Sequence, residues 1–365
     1  MNATSTVALV LLAAALPARA AEVVRIAVTS GADRVVIEGA GLTFRALRDG
    51  AAAERVDAGR AEVALQGDAL TVNGHPIDAA GATFAADAGV AAAGVALQGE
   101  VEVRLAAGGL AAIDVLPLED YVAAVTGAEM PPGFPPEALR AQAVAARTFA
   151  VFKKLEALQE GRPWHLGATV LDQVYRGARV DPRARAAAQA TAGEVLVFEH
   201  APVEAYFHAA CGGHTERGLE ALGRDRPYLA SVRCDACRGA PGFRWTVRVP
   251  AAELGRLAGL GGSATAVRVT ARTGSGRAAR VEVAAGRRKA ALGAVDLRQR
   301  LGFSRLPSLA FDAALEGGAA VFRGRGRGHG AGLCQWGAAG LARAGEGWRA
   351  ILARYYPGSE VRRMY

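Results

Sequence analysis

The chain has 365 residues, of which 51% are hydrophobic and 46 are glycine. Its 43 Lys and Arg residues outnumber its 35 Asp and Glu residues, so the formal net charge is +8. This surplus is too small and too dispersed for a nucleic-acid-binding protein, and no RNP, zinc-finger or helix-turn-helix pattern accompanies it, whereas the apolar content suffices for a large core.

The first segment, residues 1–20, predicts a cleaved export signal. Its apolar run, Val7 to Leu16, is too short to span a bilayer, and the small-x-small triplet Ala18-Arg19-Ala20 follows. Because no Lys or Arg precedes the apolar run, a retained anchor is the alternative. No later segment is long and apolar enough for a membrane helix, so the mature protein is expected without a membrane span and outside the cytoplasm.

Residues 21–97 predict a β-rich N-terminal region. Short alternating runs such as "EVVRIAVTS" and "VALQGDALTVNG" are separated by Gly, Asn and Asp. Helical patterns begin only after "AIDVLPLEDYVAAV", where Pro117, Glu119 and Asp120 mark a helix start. The fold class is therefore α+β, with a β-rich N-terminal part followed by a mixed core.

Further helices and a strand pair are predicted along that mixed core. The strand pair lies in "GEVLVFEHAPVEAYFHAA", with its turn at His200 to Pro202. The C-terminus ends in two short helices that are separated at Gly345 to Gly347. The other predicted helices are Pro136 to Leu158, Arg183 to Ala192, Ala251 to Ala258 and Asp296 to Leu301.

The helix from Pro136 to Leu158 carries mostly alanine and other apolar residues around its whole circumference, which is typical of a buried helix. Its polar exceptions, Gln142, Arg147 and Thr148, must therefore find partners or line a cavity.

One acid, Glu129, stands just before this helix in "GAEMPPGFPPEALR". The prolines stiffen the loop, so Glu129 has a rigid support beside an apolar wall. Such a setting raises a carboxyl pKa and suits a general acid. Taken alone, however, the residues favour the simpler interpretation, a glutamate near a helix start that favours the helix dipole or is solvated.

The four cysteines predict a structural zinc site. "HAACGGHTE" supplies C-x2-H and "SVRCDACRG" supplies C-x2-C, so the predicted ligands are Cys211, His214, Cys234 and Cys237, with His208 as the substitute for His214. Three thiolates and an imidazole leave no open position for a reactive water. Disulfides are the alternative, because an exported protein meets oxidising conditions.

A glycine-rich stretch, "FRGRGRGHGAGLCQWGAAGLA", predicts a C-terminal hairpin that approaches another element or a polymeric ligand closely. It is not a phosphate-binding loop, because it lacks the G-x-x-x-x-G-K-[ST] pattern and no βαβ unit follows. His329 stands between two glycines, while Gln335 and Trp336 add an amide and an aromatic platform suited to a sugar face.

Taken in order, these motifs resemble the SpoIID/LytB family of cell-wall proteins, which comprises stage II sporulation protein D and the amidase enhancer. The resemblance rests on "LPLEDYVAAVTGAEMPPGFPPEALRAQAVAARTFA", "DQVYRG", "AYFHAACGGHTE" and "GRGHGAGLCQWGAAGLARAGEGWRAILARYYPG". It runs from about Gln98 to Gly358 and implies a SpoIID-like catalytic domain over residues 98–365. Many relatives have serine in place of Cys211 and lack the C-x2-C pair, so the metal site would belong to a sub-branch.

The resemblance implies a lytic transglycosylase that cleaves the β-1,4 bond between N-acetylmuramic acid and N-acetylglucosamine in peptidoglycan glycan strands and forms a 1,6-anhydro product. The sporulation branch of the family prefers strands stripped of their stem peptides. The catalytic acid of the family matches Glu129. The candidate substrate-binding residues that follow from the resemblance are Gln142, Arg147, Tyr175, His329 and Gln335, and Trp336 joins them as the aromatic platform.

The amidase-enhancer branch implies an alternative, in which the protein binds glycan strands and stimulates a separate cell-wall amidase without cleaving a bond itself. No organic cofactor is expected for either activity.

Overall fold

The computed structural model describes residues 22–67, 69–169 and 172–365. The predicted signal, residues 1–20, lies outside the described residues. Within them, no helix has the length and apolar content needed to cross a membrane.

The N-terminal region is built from short strands that form two sheets. These are β1 (Val23–Ala32), β2 (Arg34–Glu38), β3 (Thr43–Ala46), β4 (Glu54–Arg55), β5 (Arg60–Gln66), β6 (Ala69–Val72), β7 (His75–Ile77), β8 (Gly81–Ala85), β9 (Ala91–Ala92), β10 (Val95–Ala96), β11 (Glu100–Ala106) and β12 (Gly109–Pro117), with a 3-10 turn at Asp57–Gly59.

The middle of the chain alternates helices with short strands. In order they are α1 (Leu118–Glu129), α2 (Pro136–Gln159), β13 (Leu166–Gly167), α3 (Pro182–Ala190), β14 (Glu194–Phe198), β15 (Ala201–Pro202), β16 (Phe207–His208) and α4 (Gly218–Leu222), followed by a 3-10 turn at Asp235–Gly239. The predicted turn at His200 to Pro202 is displaced, because Glu199 and His200 take the left-handed conformation and Pro202 already belongs to β15.

Strands from both sides of position 97 share one sheet, in the order β13-β1-β12-β11-β8-β3-β4. Val23 of β1 lies opposite Pro117 of β12 in an antiparallel pair. The second sheet has the order β10-β9-β2-β5-β6-β7. The first sheet therefore continues across the predicted domain boundary between residues 97 and 98. The division of the chain into two domains at this boundary stays a prediction.

Helix α2 confirms the predicted buried helix and ends one residue later, at Gln159. Pro136 stands at its first turn, where a missing N–H costs no hydrogen bond. Its alanines let α1, α3, α7 (Gln335–Arg343), α8 (Trp348–Tyr355) and β14 pack close to its backbone.

Arg147 and Thr148 of α2 find hydrogen-bond partners inside the protein, whereas Gln142 Nε2 has none among the described residues. The Arg147 side chain is fully buried, and its Nε and Nη2 donate to the two carboxylate oxygens of Glu119 on α1 at 2.8 and 2.6 Å. The same guanidinium donates to the carbonyl oxygens of Ala188 and Glu194. Thr148 donates to the Val144 carbonyl and accepts from the Leu196 N–H. Arg147 thus joins α1, α3 and β14 to α2.

The segment that lies in sequence between the middle of the chain and the C-terminal helices forms a second apolar core. It is formed by β17 (Arg244–Pro250), α5 (Ala251–Leu257), β18 (Ala266–Arg272), β19 (Ala278–Ala285), β20 (Arg288–Gly293), α6 (Ala294–Leu301), β21 (Phe311–Glu316) and β22 (Ala319–Arg325). These strands make two sheets, β17-β22-β21 and β18-β19-β20.

The glycine-rich motif connects this second core to the first core, which is formed by the two N-terminal sheets and helices α1, α2, α7 and α8. Strands β21 and β22 form a hairpin that turns at Gly317 and Gly318. The glycines from Gly326 to Gly332 follow this hairpin as irregular backbone. The predicted position of the glycine-rich hairpin was therefore wrong. The chain then forms β23 (Leu333–Cys334), α7, α8 and β24 (Glu360–Arg363). Strand β23 runs parallel to β16, and β24 pairs with β14.

Replacing Arg147 by Ala should destabilise the protein by about 2–5 kcal/mol, because a fully buried side chain leaves a cavity and the partly exposed Glu119 loses one of its partners. Urea unfolding measures this cost. Arg140→Ala is the matched control, since Arg140 makes an ion pair with Glu137 on the same helix but near the surface, where a pair contributes about 1 kcal/mol or less. Equal costs for the two variants would contradict a stabilising role of Arg147.

Candidate functional site

Glu129 is the last residue of α1, and its side chain is partly buried. One carboxylate oxygen accepts a hydrogen bond from the Val174 N–H at 2.8 Å. The Gln335 side chain also interacts with this carboxyl group and lowers its pKa. Three segments that are distant in sequence therefore meet at this carboxyl group.

The environment raises the pKa of the Glu129 carboxyl above its ordinary value of 4.5, because burial disfavours the charged form. Hydrogen bonds from Val174 and Gln335 and the positive charge of Arg176 act in the opposite direction. The position at the C-terminal end of a helix also disfavours a negative charge, since the helix dipole is negative there. A carboxyl group in this setting keeps its proton to a higher pH than a solvated glutamate.

Glu129 opens into a cavity of about 740 Å³, which is within the range of small-ligand sites. Both cores contribute to its walls. The first core provides Glu129, Phe149, Asp172, Val174, Tyr206, Phe207, His208, Ala209, His329 and Gln335, the segment Leu219 to Gly223 provides one edge, and the second core provides Val295, Arg298, Gln299, Phe303 and Leu309.

His329 lines the cavity as predicted, but both of its ring nitrogens are occupied. Nε2 lies 2.8 Å from the Phe207 carbonyl oxygen, and Nδ1 accepts from the Ala331 N–H at 3.1 Å. This pairing assigns the neutral ring with its proton on Nε2. Burial lowers the pKa of His329 to about 4, so the ring is neutral at physiological pH and serves as a fixed wall.

His208 was expected only as a substitute zinc ligand, yet it lines the same cavity beside His329. Its Nδ1 lies 3.0 Å from the Ala331 carbonyl oxygen, so Nδ1 carries the proton. The Nε2 atom is buried and has no hydrogen-bond partner among the described residues. His208 Nε2 is thus a buried acceptor that no described residue pairs.

The remaining predicted binding residues lie behind the cavity or away from it. Gln142 is fully buried, and its Oε1 accepts from Gln335 Nε2 at 3.5 Å, so it supports Gln335. Arg147 makes the internal hydrogen bonds described above and does not line the cavity. The Tyr175 hydroxyl donates to Asp114 at 2.6 Å, and Trp336 packs edge-on against Phe134 at 4.9 Å. Arg147 and Tyr175 are therefore engaged inside the protein, Trp336 does not line this cavity, and the binding roles of these three residues stay predictions.

The four cysteines come together, but His214 does not join them. The sulfur atoms of Cys211, Cys234, Cys237 and Cys334 lie within 4.8 Å of one another, and all four residues are buried. His214 is exposed, with only its backbone bridging to Arg233. The C-x2-H spacing suggested His214, whereas the fold brings in Cys334 from β23, and His208 faces the cavity instead.

Sequence reasoning missed Asp172, Val174 and His208 as parts of the site. Val174 contributes through its backbone N–H, which leaves no trace in residue identity. Asp172 and His208 stand inside the quoted motifs "DQVYRG" and "AYFHAACGGHTE", so their position beside other candidate residues was the available signal.

Residues 106–198 match the SpoIID family, described as stage II sporulation protein. Stage II sporulation protein D of Bacillus amyloliquefaciens is 33% identical over 267 residues, which cover 68% of this chain and 75% of that protein. An uncharacterized protein of Brachyspira hyodysenteriae is 33% identical over 254 residues, covering 68% of this chain and 67% of the relative.

A more distant relative carries a different description. The amidase enhancer of Bacillus subtilis is 26% identical over 289 residues. That match covers 64% of this chain and 39% of the relative.

Glu129→Gln should leave the protein at least as stable as the wild type at pH 7. The folded state raises the pKa of Glu129, so the ionised carboxylate lowers the free energy of unfolding as the pH rises through that pKa. Below the ordinary value of 4.5 the carboxyl group is protonated in both the folded and the unfolded state, and this destabilisation vanishes. Thermal unfolding of the variant and wild type between pH 4 and pH 8 measures the difference, with the exposed Glu160→Gln as control. A variant that is less stable at pH 7 than at pH 4, relative to wild type, would contradict this environment.

Proposed function

The chain belongs to the stage II sporulation protein D (SpoIID) family, and on this premise we propose that it is an exported cell-wall protein that cleaves peptidoglycan glycan strands as a lytic transglycosylase. The observation that carries the proposal is Glu129, a carboxyl group with a raised pKa at the wall of a cavity that can hold sugar residues. The proposed place of action is the periplasm or the cell-wall space.

Glu129 can perform both proton transfers of this reaction. Protonated, it donates to the glycosidic oxygen as the bond from the muramyl C1 to that oxygen breaks. The resulting carboxylate takes the proton from the muramyl C6 hydroxyl while the oxygen of that hydroxyl bonds to C1. The 1,6-anhydro ring forms, Glu129 regains its proton, and no water is consumed.

The contacts of Glu129 suit this double role. Burial favours the neutral acid that starts the reaction, while the Val174 N–H and the Gln335 amide stabilise the carboxylate that must exist halfway through it. Gln142 fixes Gln335 from behind. The proton donor is thereby held in one position, which is what efficient proton transfer requires.

Other cavity residues have proposed binding roles. Asp172 is a second acid in the same cavity, and its Oδ2 accepts from the Gly167 N–H at 2.7 Å. Its negative charge would favour the oxocarbenium-like transition state. Phe303 and Val295, exposed on the second core, would pack against apolar sugar faces.

The second candidate function is that of a glycan-binding enhancer of a cell-wall amidase. The similarity to the amidase enhancer of Bacillus subtilis favours it. In this case the protein would bind glycan, yield no anhydro ends and accelerate an added amidase.

Glu129→Gln should lower the rate of glycan cleavage by about 10²–10⁴-fold, because the proton donor is lost. Purified glycan strands, with and without stem peptides, are digested by wild type and variant, and mass spectrometry counts anhydro-muramyl ends. Glu160→Gln is the control, since Glu160 is exposed and lies at the end of α2. Equal product release by wild type and Glu129→Gln would rule out this acid, and reducing ends in place of anhydro ends would indicate hydrolysis.

The activity should fall as the pH rises through the raised pKa of Glu129, because the acid form is needed first. Arg176→Gln should move this alkaline limb to higher pH, since the Arg176 charge lowers that pKa. The pH profile of kcat/KM for both proteins tests the shift. Arg179→Gln, a neighbouring exposed arginine, should leave the profile unchanged, and a shift in the opposite direction for Arg176→Gln would contradict the assignment.

A further inference from the structure

We propose that Cys211, Cys234, Cys237 and Cys334 form a closed tetrathiolate site for one Zn²⁺ ion. Their four sulfur atoms lie within 4.8 Å of one another, and those of Cys211 and Cys237 are 3.5 Å apart. Zinc–sulfur bonds of about 2.3 Å in a tetrahedron place the sulfurs about 3.8 Å apart, so small adjustments complete the geometry. This inference does not rest on the proposed reaction.

The ligands come from three segments that meet only in the folded protein. Cys211 follows β16, Cys334 ends β23, and Cys234 and Cys237 flank the start of the 3-10 turn Asp235–Gly239. A C-x2-C pair in a tight turn directs both sulfurs to one side, which is typical of a structural zinc site. Four thiolates saturate the ion and leave no position for water, so the site is structural.

Two of the thiol groups have donors that stabilise the thiolate form required by a metal. Cys334 Sγ accepts from the N–H groups of Cys211 and Gly337 at 3.2 and 3.3 Å, at the N-terminus of α7. Cys234 Sγ lies 3.0 Å from the Tyr355 hydroxyl oxygen.

The surrounding charge also fits. Zinc with four thiolates carries two negative charges, and such a buried anion requires a nearby cation. Arg277 is 2% exposed and donates to the Cys211 carbonyl oxygen at 2.5 Å. Its Nε has no hydrogen-bond partner among the described residues. Arg277 already has a buried carboxylate nearby, that of Glu216, and a metal–thiolate centre would be a second counter-charge for this guanidinium.

The site would fix one wall of the cavity. Cys334 directly precedes Gln335, which contacts Glu129, and Cys211 lies shortly after His208. The close approach of α7 to the cysteines depends on Gly337, where an added Cβ would lie 2.6 Å from Cys234 Sγ.

The first experiment measures metal and thiols in the wild type. The full chain, purified with a thiol reductant and without added metal or chelator, is analysed by native mass spectrometry and elemental analysis. We expect one zinc per chain and, after denaturation, four reduced cysteines. Two disulfides without zinc, iron in place of zinc, or no stoichiometric metal would each overturn the proposal.

The second experiment identifies the fourth ligand. Cys334→Ser should bind zinc at least tenfold more weakly, while His214→Ala should bind it like the wild type. Retention of zinc affinity by Cys334→Ser, or its loss in His214→Ala, would overturn the ligand set. Should Cys334→Ser fail to fold, wild-type protein loaded with Co²⁺ gives the answer, since four-sulfur tetrahedral coordination and mixed sulfur–nitrogen coordination have different visible absorption spectra.

Discussion

The buried guanidinium of Arg147 is the interaction on which the arrangement of the first core depends. Helix α2 has almost no polar face, so this one charge must be neutralised inside the protein. Glu119 on α1 does so with two parallel hydrogen bonds, and carbonyl oxygens of α3 and β14 accept the remaining donors. Since Glu119 and Glu129 stand near the two ends of α1, fixing that helix also fixes the direction from which Glu129 enters the cavity.

The chemistry of the cavity depends on a balance of opposing effects on one carboxyl group. Burial and the helix C-terminus favour the neutral acid, whereas Val174, Gln335 and Arg176 favour the carboxylate. In the proposed reaction, a fully desolvated acid without these partners would hold its proton too strongly to donate it in the first step. The hydrogen bonds would thus ease the first proton transfer of that reaction, while burial would keep the carboxylate basic enough for the second.

Glycines in the C-terminal motif bring the second core and the cavity together. Gly328 has a φ of +107°, and a Cβ there would lie 2.7 Å from the His208 Cβ. Gly332 has a φ of +69°, and a Cβ there would lie 2.0 Å from the Tyr206 carbonyl oxygen. Only glycine permits these two close contacts, which place His329 against Phe207 and His208. Side chains of α6 form another part of the cavity wall.

The sequence by itself determined the α+β class, the buried α2 helix and the position of Glu129 before it, because apolar periodicity and proline placement are local properties of the chain. It could not determine which polar residues of α2 face a ligand, so Arg147 was predicted in the cavity although α1 holds it inside. Likewise, C-x2-H spacing pointed to His214, whereas Cys334 joins the other cysteines only because β23 pairs with β16. The partners of Glu129 and the free nitrogen of His208 were decided by tertiary structure alone, since they depend on contacts between segments that are distant in sequence.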